Sequence, residues 1–393
     1  MNNFEFYVPT KVIFGKDEES KVGEQVVAFG GSRVLLHYGS NSSKESGLID
    51  KVKKYLDEAG LFYVEFGGVV ANPRLSKVYT GIELCKEHNI DFILAVGGGS
   101  VIDSGKAIAM GVASGGDVWD FFSRKRVPEH ALPVGVVLTI AAAGSETSMS
   151  CVIKNEEENI KRGVISDLNR PKFAIMNPEL TYTVPEYQIA CGIVDIIMHT
   201  LDRYFSPTKE TDFIDRISEG LLHSVMHTGK RTLKDPINYS ARANLMWAGS
   251  ISHNTITGTG KVFDFSNHAI EHEVSGKYDI AHGAGLSCLW GNWARYVYKQ
   301  DIMRFAQYAV NVLNVDMDFE RPEATALEGI ERTEAYFKSI GMPTNFKEAG
   351  IEVTDEDIID MAKKCTFFGG RKIGSFRVLG YDDITIILKN ARG

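Results

Sequence analysis

Phe92-Ile93-Leu94-Ala95-Val96-Gly97-Gly98-Gly99-Ser100-Val101-Ile102-Asp103-Ser104-Gly105-Lys106 is the stretch whose reading decides the fold. Its first five residues are apolar on both faces, as a strand covered by helices on either side requires. The three glycines then open a helical pattern over residues 101–112, so strand, turn and helix follow one another as in a βαβ unit. Residues without side chains let the backbone approach a phosphate, and the first amides of the helix point at it with the positive dipole end behind them. The turn is not the GxGxxG fingerprint, because Ile102 stands at the last position. Nor is it a Walker A loop, because Ala107 follows Gly105-Lys106. Taken alone it also fits a tight connection without a ligand, and Asp103 and Lys106, one turn apart, also fit a solvated ion pair.

Working outward, runs of the same kind recur at residues 33–38, 62–66, 134–139 and 173–176. Between the first two, Ile49, Val52 and Leu56 line one helical face, Lys51, Lys53 and Lys54 the other, and Gly60 ends the pattern. Alternating strands and helices predict a doubly wound α/β domain with a parallel sheet. The opening run 4–14, broken by Pro9-Thr10, predicts an edge hairpin through which a partner subunit could join, and a homodimer is expected. After Pro185 the alternation stops. Long helical patterns follow, with Asp235-Pro236 predicted as a cap and first helical residue. The expectation is a dinucleotide-binding Rossmann-like domain over residues 1–185 and an all-helical, metal-binding domain over 186–393. A cleft between them is the default ligand site.

Composition narrows the function. At roughly 100–200 residues per domain, 393 residues suit two domains. Acidic residues exceed basic ones by 51 to 43, and the longest Lys/Arg run is Arg124-Lys125-Arg126, so DNA, RNA or an anionic membrane is disfavoured as a partner. The longest uncharged apolar stretch, 132–144, is too short for a spanning helix of ~20 residues, and residues 1–10 lack the pattern of a signal peptide. Five scattered cysteines without a CxxC predict buried thiols in a reducing compartment, hence a cytoplasmic protein.

Asp195 and His199 stand four apart in a helical stretch and so project from one face. His268, His272 and His282 follow, the last trailed by Gly283 and Gly285. A carboxylate with imidazoles suits Fe(II) or Zn(II) and is too rich in nitrogen for Mg or Ca. Spacing does not choose between His268 and His272 as the ligand. The pair His223/His227 shares the i, i+4 spacing but has no acid that completes a set, and is expected to be structural.

Together these residues resemble a family. Gly97-Gly98-Gly99-Ser100-x-x-Asp103-x-x-Lys106, Gly144-Ser145-Glu146, Asn177-Pro178-x-x-Thr181, Gly192-x-x-Asp195-x-x-x-His199, His268-x-x-x-His272 and His282-Gly283 resemble the iron-containing alcohol dehydrogenases, in order, through nearly the whole chain. The branch most similar is that of the butanol dehydrogenases and NADPH-dependent aldehyde reductases. The resemblance implies Asp195, His199, His268 and His282 as ligands of Fe(II) or Zn(II), and His272 as a histidine near the nicotinamide that relays a proton. It implies Gly98, Gly99 and Ser100 as the pyrophosphate cradle, with Asn72, Asp103, Thr139, Lys161 and Thr181 lining the cofactor. Ala143 departs from the family, which usually has Thr before Gly-Ser-Glu. The implied activity is hydride transfer between NADP(H) and a small alcohol or aldehyde such as butanol or butanal.

The preference for NADP(H) comes from the end of the second strand. NAD-linked members carry an Asp there, which repels a 2′-phosphate. Here stand Gly39, Ser40 and Asn41, followed by Ser42 and Lys44. Phe263, Phe265 and Trp290 predict an apolar cleft near the ligands. Two other readings remain at this level. A lyase of the dehydroquinate-synthase type would need basic residues near the ligands, where only Arg203 is available. A metal-stabilised binding protein would give the glycine turn no work.

Overall fold

The computed structural model describes residues 1–39 and 46–393, which fall into two compact units. The first comprises residues 7–184 and 237–254, and the second residues 1–6, 185–236 and 255–393.

The first unit is α/β. Its main sheet has the order β1-β8-β5-β4-β2-β3, built from β1 (Lys11–Phe14), β2 (Arg33–Gly39), β3 (Phe62–Val69), β4 (Phe92–Gly97), β5 (Val134–Leu138) and β8 (Phe173–Met176). Every pairing in it is parallel. Around it lie α1 (Val22–Ala28), α2 (Leu48–Glu58), α3 (Leu75–Glu87) and α4 (Gly99–Ser114). The two-faced apolar pattern of β4 follows from this layering. Ile93 and Ala95 pack on one side with Ile102, Ile108 and Met110 of α4, while Phe92, Leu94 and Val96 pack on the other with Ile49, Val52 and Leu56 of α2. Each such large side chain contributes about 1.5–3 kcal/mol.

Two features differ from the sequence expectation. Residues 4–14 form no hairpin: β1 pairs in parallel with β8, Lys11 opposite Phe173 and Phe14 opposite Met176. A two-residue hairpin turn needs φ > 0 at its centre, and Pro9 holds φ near −65°. A hairpin does occur where none was read, with β6 (Ser150–Asn155) antiparallel to β7 (Ile160–Ile165). Lys154, Lys161 and Arg162 in these strands hide the apolar alternation.

Past residue 185 the described elements are helical: α5 (Glu186–Tyr204), α6 (Asp212–Lys234), α7 (Tyr239–His253), α8 (Ser266–Tyr278), α9 (His282–Val297), α10 (Ile302–Leu313), α11 (Pro322–Ser339), α12 (Asp355–Cys365) and α13 (Tyr381–Asn390). Asp235-Pro236 does not start a helix. Asp235 ends α6, and Asn238 caps α7 by accepting from the Ala241 amide. A proline two residues before the cap suits a chain that must turn between helices. Helix α7 packs in the α/β unit, so a single cut at 185/186 leaves it on the other side of the boundary. No described helix is long and apolar enough to cross a membrane.

In the second unit, a buried ion cluster ties α6 to α10. Asp215 pairs with Lys261 and receives both terminal nitrogens of Arg304, whose guanidinium also donates to the Tyr204 carbonyl. Trp290 belongs to this unit's core rather than to an apolar cleft: it is buried, edge-on to Tyr308 and Phe337.

Candidate active site

The strand order reverses between β2 and β4, since the chain runs from β2 outward to β3 and then returns to the other side of β2. In open α/β sheets ligands bind beyond the carboxyl ends of strands at such a switch point. The glycine turn stands there. Gly98 caps α4 with extended backbone, and its carbonyl accepts from the Val101 and Ile102 amides, so the Gly99 and Ser100 amides precede the hydrogen-bonded ladder. A Cβ on Gly98 would come within 2.3 Å of Ile140, and one on Gly99 within 3.2 Å of the Ala143 methyl. The turn is therefore bare because neighbouring chain already occupies the space. Ala143, at the departure from the family pattern, sits directly against it.

Asp103 and Lys106 are not a solvated pair. Lys106 is buried and donates to the Ser145, Ser148 and Ser150 carbonyls and the Ser145 hydroxyl. Asp103 accepts from the Ser145 hydroxyl and the Val152 amide. Both hold the Gly144-Ser145-Glu146 loop and β6 beside the turn. Thr139 follows β5, its amide bonded to the Gly97 carbonyl, and Thr181 is buried with its hydroxyl on the Pro178 carbonyl. Asn72 is buried after β3 with φ +52°, and Lys161 is buried in β7. Gly39 ends β2, where an added Cβ would meet only ordinary contacts at 3.8 Å. Ser40 and Asn41, with Ser42 and Lys44, lie outside the described residues.

The acid and the histidines meet in the second unit. Asp195 and His199 lie on α5, His268 and His272 on α8, and His282 opens α9. Oδ1 of Asp195 stands 3.6 Å from His199 Nδ1, 3.7 Å from His268 Nε2 and 3.8 Å from His282 Nε2. These separations are too long for hydrogen bonds. They suit neighbouring ligands of one ion, since bonds of ~2.1 Å in a tetrahedron put ligands roughly 3.4 Å apart. Asp195 Oδ1 and His268 Nε2 are buried without a hydrogen-bond partner, which is costly unless a cation sits between them. The donor set therefore fits a metal of the Fe(II) or Zn(II) kind.

Two of the histidines have their other nitrogen against a buried carboxylate. His268 Nδ1 lies 2.5 Å from Asp202 Oδ2, and His282 Nδ1 contacts Glu271. Burial alone would lower the His268 pKa, but Asp202 and Asp195 outweigh it and hold the imidazole up to about 9. The sequence reading missed both acids. Spacing along the chain gives neither away, because each faces a histidine on another element: Asp202 of α5 faces His268 of α8, and Glu271 of α8 faces His282 of α9.

Local geometry explains the glycines after His282. A Cβ on Gly283 would come within 2.1 Å of the Cys191 carbonyl on α5, and one on Gly285 within 2.7 Å of Glu271 Oε1. Phe265, just before α8, has φ +52°, a strained conformation for a bulky residue that costs about 1–3 kcal/mol. Asp264 holds that corner by accepting from the Ser266, Ser375 and Phe376 amides. The Phe265 ring lies 5.3 Å from His268 and 6.3 Å from His199.

Among the described residues, two groups come close enough to share an ion: Asp195, His268 and His282, and Glu271, His272 and His282. His223 and His227 belong to neither and are exposed on α6. Arg203, the basic residue that a phosphate-bearing substrate would have needed, donates to the His199 carbonyl and lies over the Phe263 and Phe265 rings.

Comparison with known proteins identifies the family. The chain is 42% identical over 390 residues to a probable NADH-dependent butanol dehydrogenase 2 of Bacillus subtilis, covering 99% of each. It is 33% identical to the NADPH-dependent aldehyde reductase YqhD of Escherichia coli, over all of both chains. The crystal structure of an NADH-dependent butanol dehydrogenase A from Thermotoga maritima superposes with a TM-score of 0.96 at 37% identity, covering 100% of this chain and 99% of the other. These likenesses favour neither the lyase nor the binding-protein reading. Residues 9–178 match the iron-containing alcohol dehydrogenase family and residues 189–392 its C-terminal region, so a chain with this glycine turn and this carboxylate–imidazole cluster belongs to the iron-containing alcohol dehydrogenases.

Proposed function

We propose that the enzyme transfers hydride between NADP(H) and a small alcohol or aldehyde such as butanol or butanal, at an Fe(II) or Zn(II) ion held by Asp195, His199, His268 and His282. The observation that carries this is the Asp195 Oδ1 atom with three imidazole nitrogens 3.6–3.8 Å away. When bound, the ion supplies Lewis-acid polarisation of a carbonyl and the nicotinamide supplies the hydride. The chain does the rest. Gly98, Gly99 and Ser100 receive the pyrophosphate, while Gly39, Asn72, Thr139, Lys161 and Thr181 line the cofactor and Asp103 steadies the loop beside it. His272, partly exposed beside the cluster, relays the proton between the reacting oxygen and solvent. Phe263 and Phe265 give the alkyl chain an apolar wall.

Support for NADP(H) lies at Gly39, which puts no carboxylate at the end of β2 to repel a 2′-phosphate. The relatives divide on this point by name: the butanol dehydrogenases are called NADH-dependent and the aldehyde reductase NADPH-dependent. The deciding measurement is kcat/KM for NADPH and for NADH with butanal, following the absorbance of the reduced nicotinamide. We expect the wild-type ratio to favour NADPH and Gly39→Asp to shift it towards NADH about ten- to a hundredfold. A wild-type enzyme that prefers NADH overturns the cofactor reading and leaves the metal site standing. No turnover with either cofactor in metal-loaded protein overturns the whole. A cytoplasmic homodimer completes the reading, supported by five buried free thiols and by β1, which leaves one edge of the sheet open to a second copy.

A further inference from the structure

Glu271 is fully buried in α8, a costly place for a carboxylate without a strong partner. Its surroundings are arranged around its two oxygens. Oε2 faces His282 Nδ1, and Oε1 accepts the Ser275 hydroxyl one turn along the same helix. Opposite, on α9, the residue that would crowd it is Gly285, where an added Cβ would stand 2.7 Å from Oε1 and 3.0 Å from Cγ. The far nitrogen of the same imidazole, Nε2, is the one that lies 3.8 Å from Asp195 Oδ1.

We propose that Glu271 is a positioning residue for the metal centre. By accepting the Nδ1 proton of His282 it fixes the tautomer and ring orientation that present Nε2 to the ion, with Ser275 anchoring the carboxylate and Gly285 leaving it room. A histidine that opens a helix has only its own rotamers to orient it, so a fixed acceptor on a neighbouring helix removes freedom that metal binding would otherwise have to remove.

The proposal rests on His282 being a ligand, and the test separates the two. The full chain is stripped of metal with EDTA, and Zn(II) affinity is measured by competition with a chromophoric chelator, with no substrate or cofactor present. Glu271→Ala is expected to bind Zn(II) about 10–100-fold more weakly. Glu271→Gln, which keeps an acceptor for the Nδ1 proton, should recover most of that loss. Gly285→Ala improves helix propensity and yet should weaken binding about tenfold, because its methyl group displaces the carboxylate. Wild-type affinity in Glu271→Ala overturns the proposal, and if that variant does not fold, wild-type affinity in Gly285→Ala does so instead. His282→Ala provides the reference. If it loses Zn(II) while Glu271→Ala does not, the positioning role fails alone. If it binds like wild type, the ligand assignment fails and the proposal with it.

Discussion

Asp195 Oδ1 lies within 3.8 Å of nitrogens from three helices, so Asp195 and His268 are the residues at which the proposed ligand set is tested most directly. Asp195→Ala and His268→Ala are expected to remove bound metal and nearly all turnover while the circular dichroism spectrum stays unchanged. His272→Ala should keep the metal and lose rate, and metal loss there would exchange the roles of the two α8 histidines. Replacing His223 and His227 together by Gln should leave metal content and rate within about twofold, as for exposed residues without partners. At this scale the sequence was informative where chemistry repeats a spacing: Asp195 with His199 at i, i+4, and His268 with His272. It was silent on Asp202 and Glu271, because an acid on a helix says nothing about what faces it until the neighbouring helix is in place. For the same reason it left a solvated ion pair open for Asp103 and Lys106. Only the fold shows that Ser145 and Ser148 come down upon them.

Strands and helices show where local pattern suffices. The runs that became β4, β5 and β8 are apolar on both faces, which few other settings tolerate, while β2 carries a buried histidine and β3, at the sheet edge, exposes Phe62 and Glu65. Residues 11–14 were placed at a sheet edge but in a hairpin rather than in parallel with β8, since a strand's partner is set by the fold, and the β6–β7 hairpin was missed because charged strands carry little pattern. Two elements make their own predictions. His37, in β2, lies 2.8 Å from the Phe66 carbonyl through Nδ1 and 2.9 Å from the Ser104 hydroxyl of α4 through Nε2, a set that satisfies one neutral tautomer. Burial pushes its pKa down to about 4. The unfolded chain therefore takes up this proton first, so the His37 contribution is intact above about pH 6.5 and lost progressively as pH falls towards 4, by about 2 kcal/mol at pH 5. Urea unfolding at about pH 7 and about pH 5 should show a smaller difference in His37→Gln than in wild type. At the other end, Asp215→Ala leaves Lys261 buried beside Arg304 and should cost about 3–5 kcal/mol. Lys261→Met in the same chain should return part of that, and a fully additive double mutant would show that the pair is not coupled.

At the scale of the whole molecule, composition and alternation were enough for an α/β part and a helical part, but not for the path between them. Nothing in residues 237–254 announces that they belong with the first 184. They are helical, like everything around them in sequence. In space, Ser250 donates to Glu146, Met246 enters the core beneath α4, and the Gly249 carbonyl and His253 leave no room for a side chain at Gly144. Residues 1–185 expressed alone should therefore be less stable than the same fragment with 237–254 joined through a short linker, as measured by the denaturation midpoint. Equal midpoints would make α7 a mere passenger. This excursion also bears on how the protein is made. Synthesis is vectorial, and at ~5–20 residues per second the ribosome needs roughly 3–14 s to pass from residue 185 to residue 254. Throughout that interval the nascent α/β unit waits with its Gly144–Glu146 loop uncovered. The cofactor side of this enzyme is completed only after most of α5 and α6, which belong to the other unit, has already left the tunnel.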